Sequence, residues 1–140
     1  MIQRKQTLWL LLAAFSTFLT YLLPFYSGDK YVREHIQSGK DFVGDTTFAV
    51  FIFTSFTLVL LLVAIFLYKN RKTQLWVGAV ALLFSVLTII FYFKGIGIHF
   101  AKGHILLSSV FAFAVPPLIF LALRGIRKDE KLVKSLDKLR

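Results

Sequence analysis

Residues 47–68 read TFAVFIFTSFTLVLLLVAIFLY, a run without a single charged side chain. A helix rises about 1.5 Å per residue and the hydrocarbon core of a bilayer is about 30 Å thick, so roughly 20 apolar residues suffice to cross it. The stretch has that length, and it lacks the polar stripe that a helix of a soluble protein turns toward water. Three further runs, 7–26, 75–93 and 105–123, share its character, and all 17 Lys and Arg and all 7 Asp and Glu fall outside the four. The alternative, a soluble all-helical protein with buried helices, would have to hide four such runs at once.

Composition points the same way, with 57% hydrophobic residues and a mean hydropathy of +0.72. The chain has no cysteine, which excludes disulfides and thiolate metal sites. The first run follows Arg4 and Lys5, as a signal peptide would. It is longer than the usual signal core of about 7 to 15 residues, and Pro24-Phe25-Tyr26-Ser27-Gly28 offers no A-x-A-like cleavage site. It is expected to be a retained span.

Orientation follows from the basic residues, which concentrate in cytoplasmic segments. With the N-terminus inside, the inner segments hold Arg4, Lys5, Lys69, Arg71, Lys72, Arg124, Arg127, Lys128, Lys131, Lys134, Lys138 and Arg140. The outer loops hold only Lys30, Arg33, Lys40, Lys94 and Lys102. Both termini are therefore expected in the cytoplasm. Trp9, Tyr68 and Trp76 near the inner boundary, with Tyr26 and Tyr92 near the outer one, match the aromatic belts of membrane proteins.

The expected architecture is an all-α, polytopic four-transmembrane-helix bundle over residues 1–123, followed by a cytoplasmic amphipathic helix over 124–140. Small residues mark where helices approach closely in lipid. Gly78, Ala81, Ser85 and Thr88 recur at spacings of 3, 4 and 3, the rhythm of one seam of a left-handed helix pair. Ala13 with Thr17, Ser16 with Thr20 and Ser108 with Ala112 are weaker pairs of the same kind. Pro116 and Pro117 remove two backbone donors from the fourth run and are expected to kink it, freeing carbonyls near Ala112 and Phe113.

No Asp, Glu, Lys, Arg or His lies inside the runs, and those are the residues that proton relays, ion pathways and voltage sensors place at bilayer depth. Coupled transport is therefore disfavoured. The hydroxyls of Thr54, Ser55, Thr57, Ser85 and Thr88 either bond within their helices or line a neutral path. In the outer loops, His35, His99 and His104 accompany Asp29, Glu34, Asp41 and Asp45, but the five-residue step from His99 to His104 is not the helical four-residue spacing of H-E-x-x-H, and no metal or cofactor site is expected. Gly95, Gly97 and Gly103 do not form G-x-G-x-x-G and read as a short turn.

The first outer loop, 27–46, has a net charge of −1 and offers nucleic acid no basic patch. Tyr31, Val32, His35 and Ile36 are expected to line a short interfacial helix there, with Phe42 and Val43 dipping toward lipid. No nucleophile has a base partner nearby, so no catalytic residue is assigned and the protein is not expected to be an enzyme.

The tail, RGIRKDEKLVKSLDKLR, is the most patterned polar segment. Leu132, Leu136 and Leu139 are spaced by 4 and 3 with Val133 beside them, and Glu130 with Lys134 makes an i, i+4 pair. An amphipathic helix lying on the anionic inner leaflet is expected, each nearby Lys or Arg contributing about 1 kcal/mol. The sharper alternative is a docking helix for a membrane or cytoplasmic protein, or for a second copy of the chain.

The opening MIQRKQTLWLLLAA, the inner loop LYKNRKTQL and the ending LRGIRKDEKLVKSLDKLR resemble the domain of unknown function 4293 family, with motifs on Ile2–Leu8, Lys69–Gln74 and Arg127–Arg140. The resemblance covers the whole chain. It implies a small four-helix protein of the bacterial inner membrane, and it implies no reaction, because the family carries no assigned activity. The chain departs from the family pattern at Lys5, where an apolar residue is expected, and at Gly125, where Ala is.

Two functions are consistent with these residues, and a third, an enzyme acting on lipid, ranks below them because it requires a constellation at a membrane face that the sequence does not offer. One is a non-enzymatic membrane subunit or scaffold whose basic cytoplasmic face, Lys69, Arg71, Lys72 and the seven cations of the tail, binds anionic lipid headgroups or a protein partner. The other is a small transporter or channel-like carrier with a neutral Ser/Thr-lined path.

Overall fold

A computed structural model of the chain describes residues 3–32, 35–42 and 48–137. Four helices, α1 (Gln3–Leu22), α2 (Phe48–Phe66), α3 (Arg71–His99) and α4 (Val110–Asp137), account for most of it. Three of them, α2, α3 and α4, are long and apolar enough to cross a membrane. α1 has the length but opens on Gln3, Arg4, Lys5 and Gln6, which dilute its hydropathy.

One rule of packing holds in all four helices. The seam positions, all buried, are Gln6, Leu10, Ala13, Thr17 and Thr20 on α1; Val50, Thr54, Thr57, Leu61 and Ala64 on α2; Gln74, Gly78, Ala81, Ser85, Thr88, Tyr92 and Gly95 on α3; and Ala112, Val115, Ile119, Ala122, Ile126 and Asp129 on α4, with Ala14, Ser16 and Leu123 buried beside them. Each set steps by alternating threes and fours, the 3.5-residue period of helices that run nearly parallel and meet along left-handed seams. The interior is rich in small and hydroxyl-bearing residues, whereas Leu8, Leu11, Phe15, Phe18, Phe56, Leu83 and Phe120 face outward. That inversion suits a solvent as apolar as leucine itself, where close backbone approach and polar pairing replace the hydrophobic drive.

Gly78 shows how close the approach is. A Cβ there would fall 2.6 Å from Cδ2 of the buried Leu123, so any side chain at this position would have to push the end of Leu123 aside. A central apolar cluster of Leu10, Ala13, Leu61, Ala64, Ala81, Val115, Ile119 and Ala122 draws on all four helices. A second cluster, Phe25, Tyr26, Val50, Tyr92 and Ala112, closes the other end of the molecule, with the Phe25 and Tyr92 rings stacked at 4.2 Å.

That other end carries a three-stranded antiparallel sheet, which corrects three expectations. The fold is mostly helical with the four helices expected, but it is not purely so. Strands β1 (Tyr26–Val32), β2 (His35–Phe42) and β3 (Phe100–Ile105) lie in the order β2-β1-β3. The expected interfacial helix at Tyr31, Val32, His35 and Ile36 is instead the tip of a hairpin, where Tyr31 pairs with Ile36 and Val32 with His35. Gly103 is not part of a turn either: β3 pairs Gly28 with Gly103 and Ser27 with His104. The pairing of β1 with β3 joins segments far apart in the chain, and it satisfies backbone groups that local helix formation would otherwise have to satisfy. Gly95 and Gly97 stay helical, because the last turns of α3 are held by Tyr92 and Ile96 in the second cluster, which outweighs the cost of roughly 1 kcal/mol per helical glycine. Val43 and Asp45 lie outside the described residues.

The ends of the helices follow local chemistry. α1 stops two residues before Pro24, which disfavours helical backbone at Leu23. Ser108 donates its hydroxyl to the Pro24 carbonyl, and the Leu106 N–H donates to the Phe25 carbonyl at 3.2 Å, which fastens the start of α4 to the end of α1. At the opposite end, the Gln74 N–H donates to the Asn70 carbonyl at 2.9 Å as α3 begins. α4 passes through Pro116 and Pro117 and continues beyond Leu123, so the expected tail is the last part of one helix rather than a separate element.

Candidate functional site

The start of α1, the turn between α2 and α3, and the end of α4 meet at the end of the molecule remote from the sheet. Their charges meet with them. Lys69 is exposed in the turn, Lys72 is exposed on the first turn of α3, and Arg124, Arg127, Lys128 and Lys131 are exposed along α4. The side chains of Lys134, Lys138 and Arg140 lie outside the described residues.

Arg71 behaves differently from its neighbours. It is half-buried, and its Nη1 donates to the backbone carbonyl of Asp129 at 3.1 Å. Asp129 itself is only 6% exposed and accepts a hydrogen bond at Oδ2 from the Gln6 side-chain amide, while its Oδ1 is buried without a partner. Gln74 completes the layer, donating to the Ala64 carbonyl at 2.9 Å. This polar layer ties α1, α3 and α4 together below the apolar core. The sequence reading did not single out Gln6, Gln74 or Asp129, because it took the tail as a helix lying on the leaflet through Leu132, Leu136 and Leu139; Leu132 and Val133 are exposed. The signal was the stripe Val115, Ile119, Ala122, Ile126, Asp129, whose 4, 3, 4, 3 rhythm runs through the span into the tail.

Between α3 and α4 at this end lies a furrow. Its larger part has a volume of about 750 Å³, with Leu75, Ala79, Leu82, Phe120 and Leu123 along one half and Arg124, Arg127, Lys128, Glu130 and Lys131 along the other. A second part of about 380 Å³ shares Leu75, Ala79, Arg127 and Glu130 and adds Lys72 and Trp76. Trp76 is 75% exposed. The lining is thus split by depth: apolar where the helices are apolar, cationic where they emerge, with five cations set against the single carboxylate of Glu130. Such a surface can hold a molecule with an alkyl part and an anionic head.

The hydroxyl residues form a second, interior site. Thr17 and Thr20 of α1, Thr54 and Thr57 of α2, Ser85 and Thr88 of α3, and Ala112 and Val115 of α4 line a space of about 20 Å³ whose wall is almost entirely carbon. Five of these six hydroxyls donate to carbonyls of their own helices: Thr17 to Ala13, Thr20 to Thr17, Thr57 to Phe53, Ser85 to Leu82 and Thr88 to Phe84, at 2.6–2.9 Å. Thr54 makes no such bond. Ser55 is apart from the group, paired with the Tyr21 hydroxyl at 2.8 Å. Gly78, Ala81, Ser85 and Thr88 are all buried on one face of α3, with Ser85 and Thr88 at this cavity and Gly78 against Leu123.

Among the described residues no three His, Cys, Asp or Glu side chains converge as a metal site, and His104 is exposed on β3. Comparison with curated proteins and with solved structures found no match. A family model does match, over residues 2–139, which is nearly the entire chain. The protein, a chain of mostly apolar helices, belongs to the family described as domain of unknown function (DUF4293).

Proposed function

We propose that this is a four-span, non-enzymatic protein of a bacterial inner membrane, with both termini in the cytoplasm, that holds an anionic phospholipid in the furrow between α3 and α4. The split lining of that furrow carries the reading. A diacyl lipid lays its chains along Leu75, Ala79, Leu82 and Phe120 while its phosphate meets Arg124, Arg127, Lys128, Lys131 and Lys72. Each cation beside an anionic headgroup contributes on the order of 1 kcal/mol.

Two observations support the topology. α1 turns Leu8, Leu11, Leu12, Phe15, Phe18 and Leu22 outward, an apolar face that needs lipid as much as the faces of the three longer helices do. The start of α1, the last turns of α4 and the basic α2–α3 turn share one end, and the enrichment of Lys and Arg in cytoplasmic segments favours the inside for it. A hydroxyl-lined carrier path has weaker support, because the cavity where those hydroxyls meet, about 20 Å³, has room for one water.

Native mass spectrometry of the detergent-purified protein tests the proposal. Phosphatidylglycerol is expected to be retained at least tenfold over phosphatidylcholine, and the triple variant Arg124→Ala/Arg127→Ala/Lys131→Ala is expected to lose that preference. Equal retention of both lipids would overturn it. A co-purifying protein lost from the triple variant, without lipid selectivity in the parent, would return the furrow to a protein partner.

A further inference from the structure

We propose that the headgroup bound in the furrow between α3 and α4 is a diphosphate, two phosphates joined in series and pointing out of the bilayer, carried on a prenyl or diacylglycerol anchor. The inference rests on the reading of the furrow as a lipid site and adds the chemistry of the head.

Two contacts fix the register of the helices. Gly78 packs against Leu123, and Arg71 donates to the Asp129 carbonyl at 3.1 Å, so α3 and α4 run antiparallel and the furrow follows their axes. Along α4 its lining passes from Phe120 and Leu123 to Arg124, Arg127, Lys128 and Lys131. These four cations step by 3, 1 and 3, which puts them on successive turns of one face, spread over about 10 Å of helix at 1.5 Å per residue. From α3, Lys72 joins Arg127 in the smaller part of the furrow. The cations therefore form a ladder along the helix axis, beginning where the apolar lining ends, instead of a ring at one depth.

The ladder selects the head. A single phosphate lies at one depth and meets the cations of one turn, whereas a second phosphate joined to it reaches toward the next turn, about 5.4 Å further out. Arginine grips phosphate through paired N–H donors, and Arg124 and Arg127 stand about one turn apart, a fork for each phosphate. Charge agrees. Glu130 is the one carboxylate among the described lining residues, so the five cations leave a surplus of four positive charges. A phosphodiester neutralises one of these, and a diphosphate two or three. Cardiolipin also carries two phosphates, but side by side across the bilayer surface, where they would leave the outer rungs unmet.

Native mass spectrometry of the full chain in detergent, with lipids added at equal concentration, tests this. Two pairs isolate the second phosphate: a polyprenyl diphosphate against its monophosphate, and cytidine diphosphate diacylglycerol against phosphatidic acid. At least one diphosphate is expected to be retained about tenfold over its monophosphate partner and over cardiolipin, and the pair that shows it identifies the anchor. Lys72 and Lys128 are exposed, and Lys72→Ala/Lys128→Ala is expected to abolish that preference while leaving monophosphate retention within roughly twofold. Arg124→Ala is expected to weaken both. Equal retention within both pairs, cardiolipin retained above both diphosphates, or a diphosphate preference that survives the double variant would overturn the inference. The anionic-lipid reading would still stand in those cases as long as phosphatidylglycerol is preferred to phosphatidylcholine, and loss of that preference as well would remove both.

Discussion

Gln6, one turn into the first helix, donates its side-chain amide to the carboxylate of Asp129, 123 positions further along the chain. The bond joins the two ends of the protein inside a layer that also receives Arg71, at the Asp129 carbonyl. A carboxylate with one oxygen unpartnered depends heavily on the partner of the other. Gln6→Leu is accordingly expected to destabilise the protein by about 1–3 kcal/mol, the usual cost of stranding a buried polar group. The double variant Gln6→Leu/Asp129→Leu is expected to lose less than the two single changes combined, because it leaves neither group stranded. Thermal unfolding of the four proteins in one detergent measures this cycle.

Gly125 bears on the same bond. A Cβ at this position would sit 2.9 Å from Cγ of Gln6, closer than real side chains approach. Gly125→Ala is expected to turn the Gln6 side chain away from Asp129 and to forfeit the stability assigned to that hydrogen bond, in spite of alanine's better helix propensity. A melting temperature above that of the parent would refute the expectation.

Gly78 packs against the end of the buried Leu123 side chain, which a Cβ at position 78 would have to push aside. Gly78→Leu is expected to cost at least 1–3 kcal/mol through overpacking. Pairing it with Leu123→Ala should restore part of the loss, and the recovered melting temperature is the measurement.

The furrow predicts a spectroscopic result. The chain has only two tryptophans, and Trp76 lies in the furrow whereas Trp9 packs against the central cluster. In a Trp9→Phe background, Trp76 fluorescence is expected to be quenched more strongly by bromoacyl phosphatidylglycerol than by bromoacyl phosphatidylcholine. Raising the salt concentration should narrow the difference, since exposed charges are screened. Equal quenching at all salt concentrations would remove the headgroup preference.

The natural absence of cysteine makes the topology directly testable. Lys69 and His104 are both exposed, one in the α2–α3 turn and the other on β3 at the opposite end. In sealed right-side-out membrane vesicles, a membrane-impermeant maleimide is expected to label His104→Cys and to reach Lys69→Cys only after the vesicles are opened. Labelling of both from one side would exclude the proposed orientation.

What could be read in advance follows from how far each signal reaches. The helices were legible because a charge-free run of about 20 residues is a local property, and the α3 stripe because the 3.5-residue period repeats within one helix. Asp129 was legible in principle, at the end of the α4 stripe, but seven basic residues in the tail drew the reading toward a surface-lying helix. The sheet was not legible: the hairpin strands YSGDKYV and HIQSGKDF carry glycine and charged residues without apolar alternation, and the pairing of Gly28 with Gly103 belongs to two segments with no shared local pattern.

The sequence by itself determined the apolar character and the number of the helices and the positions of the cations, since each depends on runs and counts along the chain. Only the tertiary structure decided what those helices enclose. Whether a threonine faces a carbonyl, a lipid or a cavity, and whether an aspartate among lysines is solvated or buried under Gln6, depends on which helix stands opposite. That is settled by packing distances of a few ångströms between residues as far apart in the chain as Gln6 and Asp129.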